Sequence, residues 1–250
     1  MKAVIIAAGC GSRLESQHNG MPKTLLSING ERIINIILTG LIRNNIDDVV
    51  VVTGYRAETL ENYLRNNAPA GLHISFARNP LWRMSNGLSV LAAKNFIAPE
   101  SQFLLLMSDH IFEPSMLEVV LNEPLSSDEA LLALDFKLNE VPDLDDGMKV
   151  RCSRLRGDSF IIGSLSKSLE SYQAIDCGMF KLNHSFFMVL DDCIENGKDS
   201  LSDACNHYAE KNLMKGIDIG ERRWIDIDTP EMFSFESITE RIVSGTMEEA

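Results

Sequence analysis

The chain has no long hydrophobic run, no paired cysteines and a shortage of positive charge, and each shortage removes a class of protein. No stretch of its 250 residues approaches the ~18 consecutive apolar residues of a membrane span. The short N-terminal apolar segment ends in glycines rather than in a cleavage site, so no signal peptide is expected. The five cysteines, Cys10, Cys152, Cys177, Cys193 and Cys205, are odd in number and form no Cys-x-x-Cys pair, which argues against zinc sites and a disulfide framework and for a reducing cytoplasm. Lysine and arginine number 23 against 36 acidic residues, a net charge of −13, which disfavours nucleic acid or an anionic membrane surface as a partner. An anionic ligand must therefore meet a local basic cluster. No Pro/Gly/Ser-rich linker divides the chain, so residues 1–243 are expected to form one domain whose halves, about 1–125 and 126–243, share a sheet.

What is present concentrates at the N-terminus. Residues 2–8, KAVIIAA, read as a buried strand that breaks into a loop with Gly9, Cys10, Gly11 and Ser12, followed by Arg13 and later Lys23. Two glycines let the backbone approach an anion, and successive amides form a concavity for phosphate oxygens. The dinucleotide fingerprint would need glycine where Leu14 stands, and the Gly-Lys-Ser/Thr ending of a P-loop is absent. A plain strand-to-helix turn is the competing reading.

Apolar periodicity predicts a helix over 33–42, a strand over 48–53, a helix over 57–66 and a strand over 73–77. Strands alternating with helices imply a parallel sheet with right-handed crossovers, whose ligands sit beyond the carboxyl ends of the strands. Asn86-Gly87 opens an alanine-rich helix, with Asn86 either its cap or a polar group facing a ligand. Strand 103–107 ends in Ser108-Asp109-His110, where Asp109 either caps a following helix or binds Mg²⁺ facing a phosphate loop. Further strands are expected at 130–134, 148–152, 160–163 and 174–182, and helices at 185–195 and 202–211. Lys149 alternates with apolar neighbours and reads as a solvated charge, while Asp176 and Gly178 interrupt an apolar strand. In Ile225-Asp226-Ile227-Asp228 both carboxylates share one face and repel unless a cation lies between them. Asp228 could instead cap a helix starting at Pro230; residues 244–250 are expected to fray.

The strings AAGCGSRL, PKTLL, NPLWRMSNGLSVLAAK, LMSDHIF, MKVR, IDCGMF, SLSDA and WIDIDTPEMF together resemble the sugar-nucleotidyltransferase superfamily, and within it the inositol-1-phosphate cytidylyltransferases and related small-alcohol cytidylyltransferases. The resemblance implies a Rossmann-like α/β nucleotidyltransferase fold, a mostly parallel mixed sheet flanked by helices with an acceptor-binding subregion. It implies Mg²⁺-dependent transfer of CMP from CTP to a small phosphorylated alcohol, with release of pyrophosphate; a small phosphonate is an alternative acceptor. By position it assigns Ala7, Ala8, Gly9, Gly11 and Ser12 to the nucleotide, Arg13 and Lys23 to its triphosphate, and Asn86, Gly87 and Ser89 to base and ribose. Asp109, which also faces the nucleotide, and Asp226 match metal ligands, with Asp228 a further candidate; Lys149 matches a catalytic lysine that contacts the acceptor or the α-phosphate, and Asp176 and Gly178 match the acceptor pocket. The segment 15–21 is an insertion relative to thermophilic members. Phosphocholine or another sugar 1-phosphate is an alternative acceptor, and a homodimer is one assembly open to the chain. A non-catalytic nucleotide-binding module would be expected to lose the charged set that this chain keeps, and a glycosyltransferase to show a mid-chain Asp-x-Asp.

Overall fold

A computed structural model describes residues 1–14, 20–235 and 239–243, so most of the 15–21 insertion and the 244–250 tail lie outside the described residues. In chain order the elements are β1 (Lys2–Ala7), β2 (Ser27–Ile28), β3 (Glu31–Arg32), α1 (Ile33–Arg43), β4 (Asp48–Thr53), α2 (Ala57–Asn67), β5 (His73–Arg78) and α3 (Asn86–Ala92). There follow β6 (Gln102–Met107), β7 (His110–Phe112), α4 (Ser115–Asn122), β8 (Ala130–Asp135), β9 (Lys149–Arg156), β10 (Ser159–Ser166) and β11 (Ala174–Asn183). The chain closes with α5 (Phe186–Glu195), α6 (Leu201–Glu210), β12 (Met214–Asp218) and β13 (Trp224–Asp226).

Nine strands form one mixed sheet in the order β5-β4-β1-β6-β11-β8-β12-β10-β9. From β5 to β6 all pairings are parallel, as alternation with helices requires. Beyond β6 the sheet is mainly antiparallel, because β9 and β10 are joined only by a Gly157-Asp158 turn and β11 runs against both β6 and β8. β12, parallel to β8, is an element that periodicity did not predict, since Lys215 and Gly216 break its apolar pattern. The sheet is covered on both faces, and the period-2 alternation of β1 shows why: Ala3, Ile5 and Ala7 enter one core with Ile33, Ile37 and Leu41 of α1. Val4, Ile6 and Ala8 enter the other, with Val90 of α3, Leu190 of α5 and Ala204 of α6.

The central position of β1 places the chemistry. Its parallel partner β6 pairs Met107 with Ile6, so the loop after Ala7 and the turn at Asp109 leave the sheet side by side at the carboxyl ends of the strands. Beside them β7 and β13 form a separate antiparallel ladder that sets Asp226 opposite His110.

Candidate active site

Two cavities, each about 300 Å³, open at this edge and meet at Arg13, Asn86, Met107, Asp109 and Asp228. The first is walled by Ala7, Gly9, Cys10, Gly11, Ser12, Lys23, Trp82, Met84, Ser89 and Ser108. The second lies toward the antiparallel half, with Asp143, Asp146, Met148, Lys167, Asp176, Gly178, Phe180, Trp224 and Asp226 in its wall.

At the junction the buried Lys23 ammonium is the cation that the paired carboxylates demand. It lies 3.1 Å from Asp109 Oδ2 and 4.0 Å from Asp226 Oδ1, and it is hydrogen-bonded to Asp228 Oδ1. The other oxygen of Asp228 accepts from Arg13. Asp228 thus spans two cations and caps nothing; the turn at Pro230–Ser234 has Thr229 before it and no side-chain cap. Asp109 caps no helix either, since it lies in the turn between β6 and β7 and α4 begins only at Ser115. Burial works against the charge on Lys23, but Asp109, Asp228 and Asp226 outweigh it and raise its pKa, so it remains an ammonium.

His110 completes the cluster. Its Nδ1 is 2.9 Å from Asp109 Oδ1 and 3.9 Å from Asp226 Oδ1, and its ring stacks on Trp224 at 5.3 Å and 6°. Trp224 is fixed in turn by an Nε1–H donated to Asp135 at 2.8 Å. On its other side the His110 ring presses against Gly178, where an added Cβ would lie 2.6 Å from the imidazole and where φ is +69°, so the glycine is required twice over. Burial disfavours the imidazolium, yet Asp226, then Asp109 and Asp176, push His110 up to about 9. Asp109 is desolvated but held well below the usual carboxylate range by Lys23 and His110. Asp226 moves the other way, raised by burial and by the charges of Asp109 and Asp228. Burial also pushes Asp176 up to about 6, against the Gly178 N–H that its Oδ1 accepts and the charge of His110.

Asp109, His110 and Asp226 offer ligand atoms within 4.8 Å of one another, and the buried Asp226 Oδ1 has no hydrogen-bond partner. An orphaned carboxylate oxygen beside a second carboxylate fits a hard divalent cation.

The remaining expected residues divide. Gly9, Gly11 and Ser12 line the first cavity with Ala7, while Ala8 is buried and gives its carbonyl to the Tyr55 N–H at 2.9 Å. Ser89 lines the same cavity and is bound by Asn79 Nδ2 at 2.9 Å. Asn86 does not cap its own helix, whose N-cap is Ser85; its Oδ1 instead accepts the Leu201 N–H at 2.9 Å, at the start of α6. Gly87 lies against the Asp199 backbone, where a Cβ would come within 2.3 Å of the carbonyl oxygen, and it lines neither cavity. Asp176 and Gly178 do line the second cavity. Lys149 lines neither: its ammonium is held by the carbonyls of Asp145 at 3.1 Å and Lys167 at 2.8 Å and sits 5.7 Å over the Tyr172 ring. The lysine in the cavity wall is Lys167, bound to Asp146 Oδ1 at 2.8 Å while Arg13 binds Asp146 Oδ2 at 2.5 Å. Lys167 lies in the polar run SLSKSLES, which carries no signal of its role; the acidic loop at 143–146 was visible, but not what it pairs with.

A glycine loop, a buried lysine and a metal-competent carboxylate pair thus meet at the switch point of an α/β sheet, where ligands of such sheets bind. The chain belongs to the nucleotidyl transferase family, whose sequence profile matches residues 2–135. It is 29% identical over 235 residues to "Bifunctional protein GlmU" of Methanococcus maripaludis, covering 92% of this chain and 52% of that protein. It is 26% identical over 232 residues to "Bifunctional IPC transferase and DIPP synthase" of Archaeoglobus fulgidus, covering 92% and 42%. The chain thus spans about half the length of the curated relatives it matches. In fold it is similar to the inositol-1-phosphate CTP transferase of T. maritima, with a TM-score of 0.84 and 21% identity over 100% of this chain and 97% of that one. Nucleotidyltransferases of this kind generally use a divalent metal. Among the described residues no helix is long and apolar enough to cross a membrane.

Proposed function

We propose that the protein is a cytidylyltransferase that moves CMP from CTP to a small phosphorylated alcohol of the inositol 1-phosphate kind, or to a phosphonate. The observation that carries the reading is the junction of two cavities at Arg13, Asp109 and Asp228, which leaves room for a donor and an acceptor on either side of one charged cluster. The relatives named IPC transferase and the fold neighbour named inositol-1-phosphate CTP transferase support the choice of cytidylyl donor and acceptor. The donor occupies the first cavity, its phosphates on the amides of Gly9, Gly11 and Ser12 and its base toward Trp82, Met84, Asn86 and Ser89. The acceptor lies in the second cavity, against Phe180, Asp176 and Gly178.

An acceptor phosphate oxygen is already a nucleophile at neutral pH, so no base is needed. It attacks the α-phosphorus, the bond from that phosphorus to the bridging oxygen breaks, and pyrophosphate departs with the bonding pair. Arg13 and Lys23 neutralise the charge that develops, and Lys167 orients the acceptor phosphate. Asp109 and Asp226 would hold Mg²⁺, which when bound supplies Lewis-acid charge at the reacting phosphoryl group. His110, stacked on Trp224, fixes the orientation of Asp109.

The test is pyrophosphate release with each of the four ribonucleoside triphosphates against a panel of phosphorylated alcohols, phosphocholine and phosphonates. CTP with a cyclitol phosphate or phosphonate is the expected best pair. Better turnover with UTP, or release with no acceptor in the panel, overturns the reading.

A further inference from the structure

The acceptor cavity already contains an anion of the protein's own. Asp146 divides its carboxylate between two cations from opposite halves of the chain, Oδ2 on Arg13 at 2.5 Å and Oδ1 on Lys167 at 2.8 Å. Nothing else in the acidic loop does this: the Asp145 side chain is exposed and lines neither cavity. The Arg13, Asp146 and Lys167 side chains are 48%, 39% and 51% exposed, so the two ion pairs stand in water and are weak. Arg13 has a second carboxylate in Asp228, so its position does not depend on Asp146.

We propose that the gap between Arg13 and Lys167 is the seat of the acceptor's phosphoryl group, and that Asp146 is a displaceable anion that holds the seat and sets the charge needed to enter it. This rests on the reading of the second cavity as the acceptor site. A carboxylate has one charge over two oxygens. A phosphate monoester or phosphonate dianion brings two charges over three oxygens and makes stronger charge-assisted hydrogen bonds to both cations, so it displaces Asp146. A carboxylate or sulfate-ester monoanion of the same shape matches Asp146 without exceeding it, and is refused. Asp146 is thereby a specificity-determining residue: it selects dianionic acceptors without touching them.

The test compares Asp146→Asn with Asp145→Asn, using inorganic phosphate as probe in calorimetry, with thermal melting to verify that both fold. Asp146→Asn is expected to bind phosphate about tenfold or more tightly than wild type, the scale of one charged hydrogen bond gained. It should also lower the acceptor KM and begin to bind a sulfate-ester analogue of the acceptor, while Asp145→Asn stays at wild-type values. In Asp146→Asn/Lys167→Ala the gain should vanish. Unchanged or weaker phosphate binding in Asp146→Asn overturns the proposal, as does a gain that survives removal of Lys167. If the wild type releases no pyrophosphate with any pair of nucleotide and acceptor, the cytidylyltransferase reading falls, whereas the phosphate titration still decides the role of Asp146.

Discussion

The two cavities are built by opposite strategies. The first takes nearly all its wall from three contiguous stretches around Gly9–Arg13, Trp82–Ser89 and Met107–Asp109, each the exit from a parallel strand, the turn beyond it or the start of the next helix. The second gathers side chains from strands that run both ways, from the 140–148 loop and from the β13 segment far along the chain. Parallel β-α units bring their carboxyl ends together as a matter of topology, so a phosphate-binding face follows from element order. An antiparallel region has no such rule. Its wall depends on register and on which side of each strand a residue falls.

The sharpest way to break the comparison is to remove the cation that holds the carboxylates together where the two cavities meet. Lys23 is buried among three carboxylates, so Lys23→Met leaves them uncompensated and should cost about 3–5 kcal/mol of stability, read by denaturant unfolding. Added Mg²⁺ should recover part of that loss in the variant and little in the wild type, since a bound cation would replace the missing charge. Loss without metal rescue would mean that the carboxylates do not form a metal site.

On the acceptor side alone, Lys167→Ala should lower kcat/KM for the acceptor about ten- to a hundredfold, the worth of a hydrogen bond to a charged group. CTP affinity in calorimetry should change little. Lys149→Ala is the matched control: its ammonium bridges two carbonyls and sits over the Tyr172 ring outside both cavities, so acceptor kinetics should stay within about twofold of wild type. A large effect at Lys149 and none at Lys167 would reverse the placement of the acceptor phosphate.

A smaller perturbation enters through packing. In Gly178→Ala the new Cβ meets the His110 ring at a positive φ, so about 1–3 kcal/mol of destabilisation is expected from overpacking and strain. The displaced imidazole should disturb Asp109, so Mn²⁺ affinity measured by electron paramagnetic resonance should fall with it. Stability loss with unchanged Mn²⁺ affinity would confine Gly178 to packing.

Periodicity alone determined most of the nucleotide half: the strand over residues 2–7, the apolar face of α1, the β4 strand and the parallel order that leaves the glycine loop at the ligand-binding edge. These signals are local, because a 2- or 3.6-residue repeat shows in a window shorter than one element. The alternation of Asp226 and Asp228 with isoleucines likewise put both carboxylates on one face and called for a cation. Only the tertiary structure decided that Lys23 is the cation present there, that β7 pairs with β13 to bring His110 against Asp226, and that Trp224 and Gly178 clamp the ring. It also turned Lys149, the lysine the sequence singled out, to backbone carbonyls, and brought Lys167, from a polar run without a signal, into the cavity beside Asp146. Contacts between residues so distant in the chain leave no trace in composition or spacing, since they are set by strand register and by the energy of burying charges only where partners arrive to meet them.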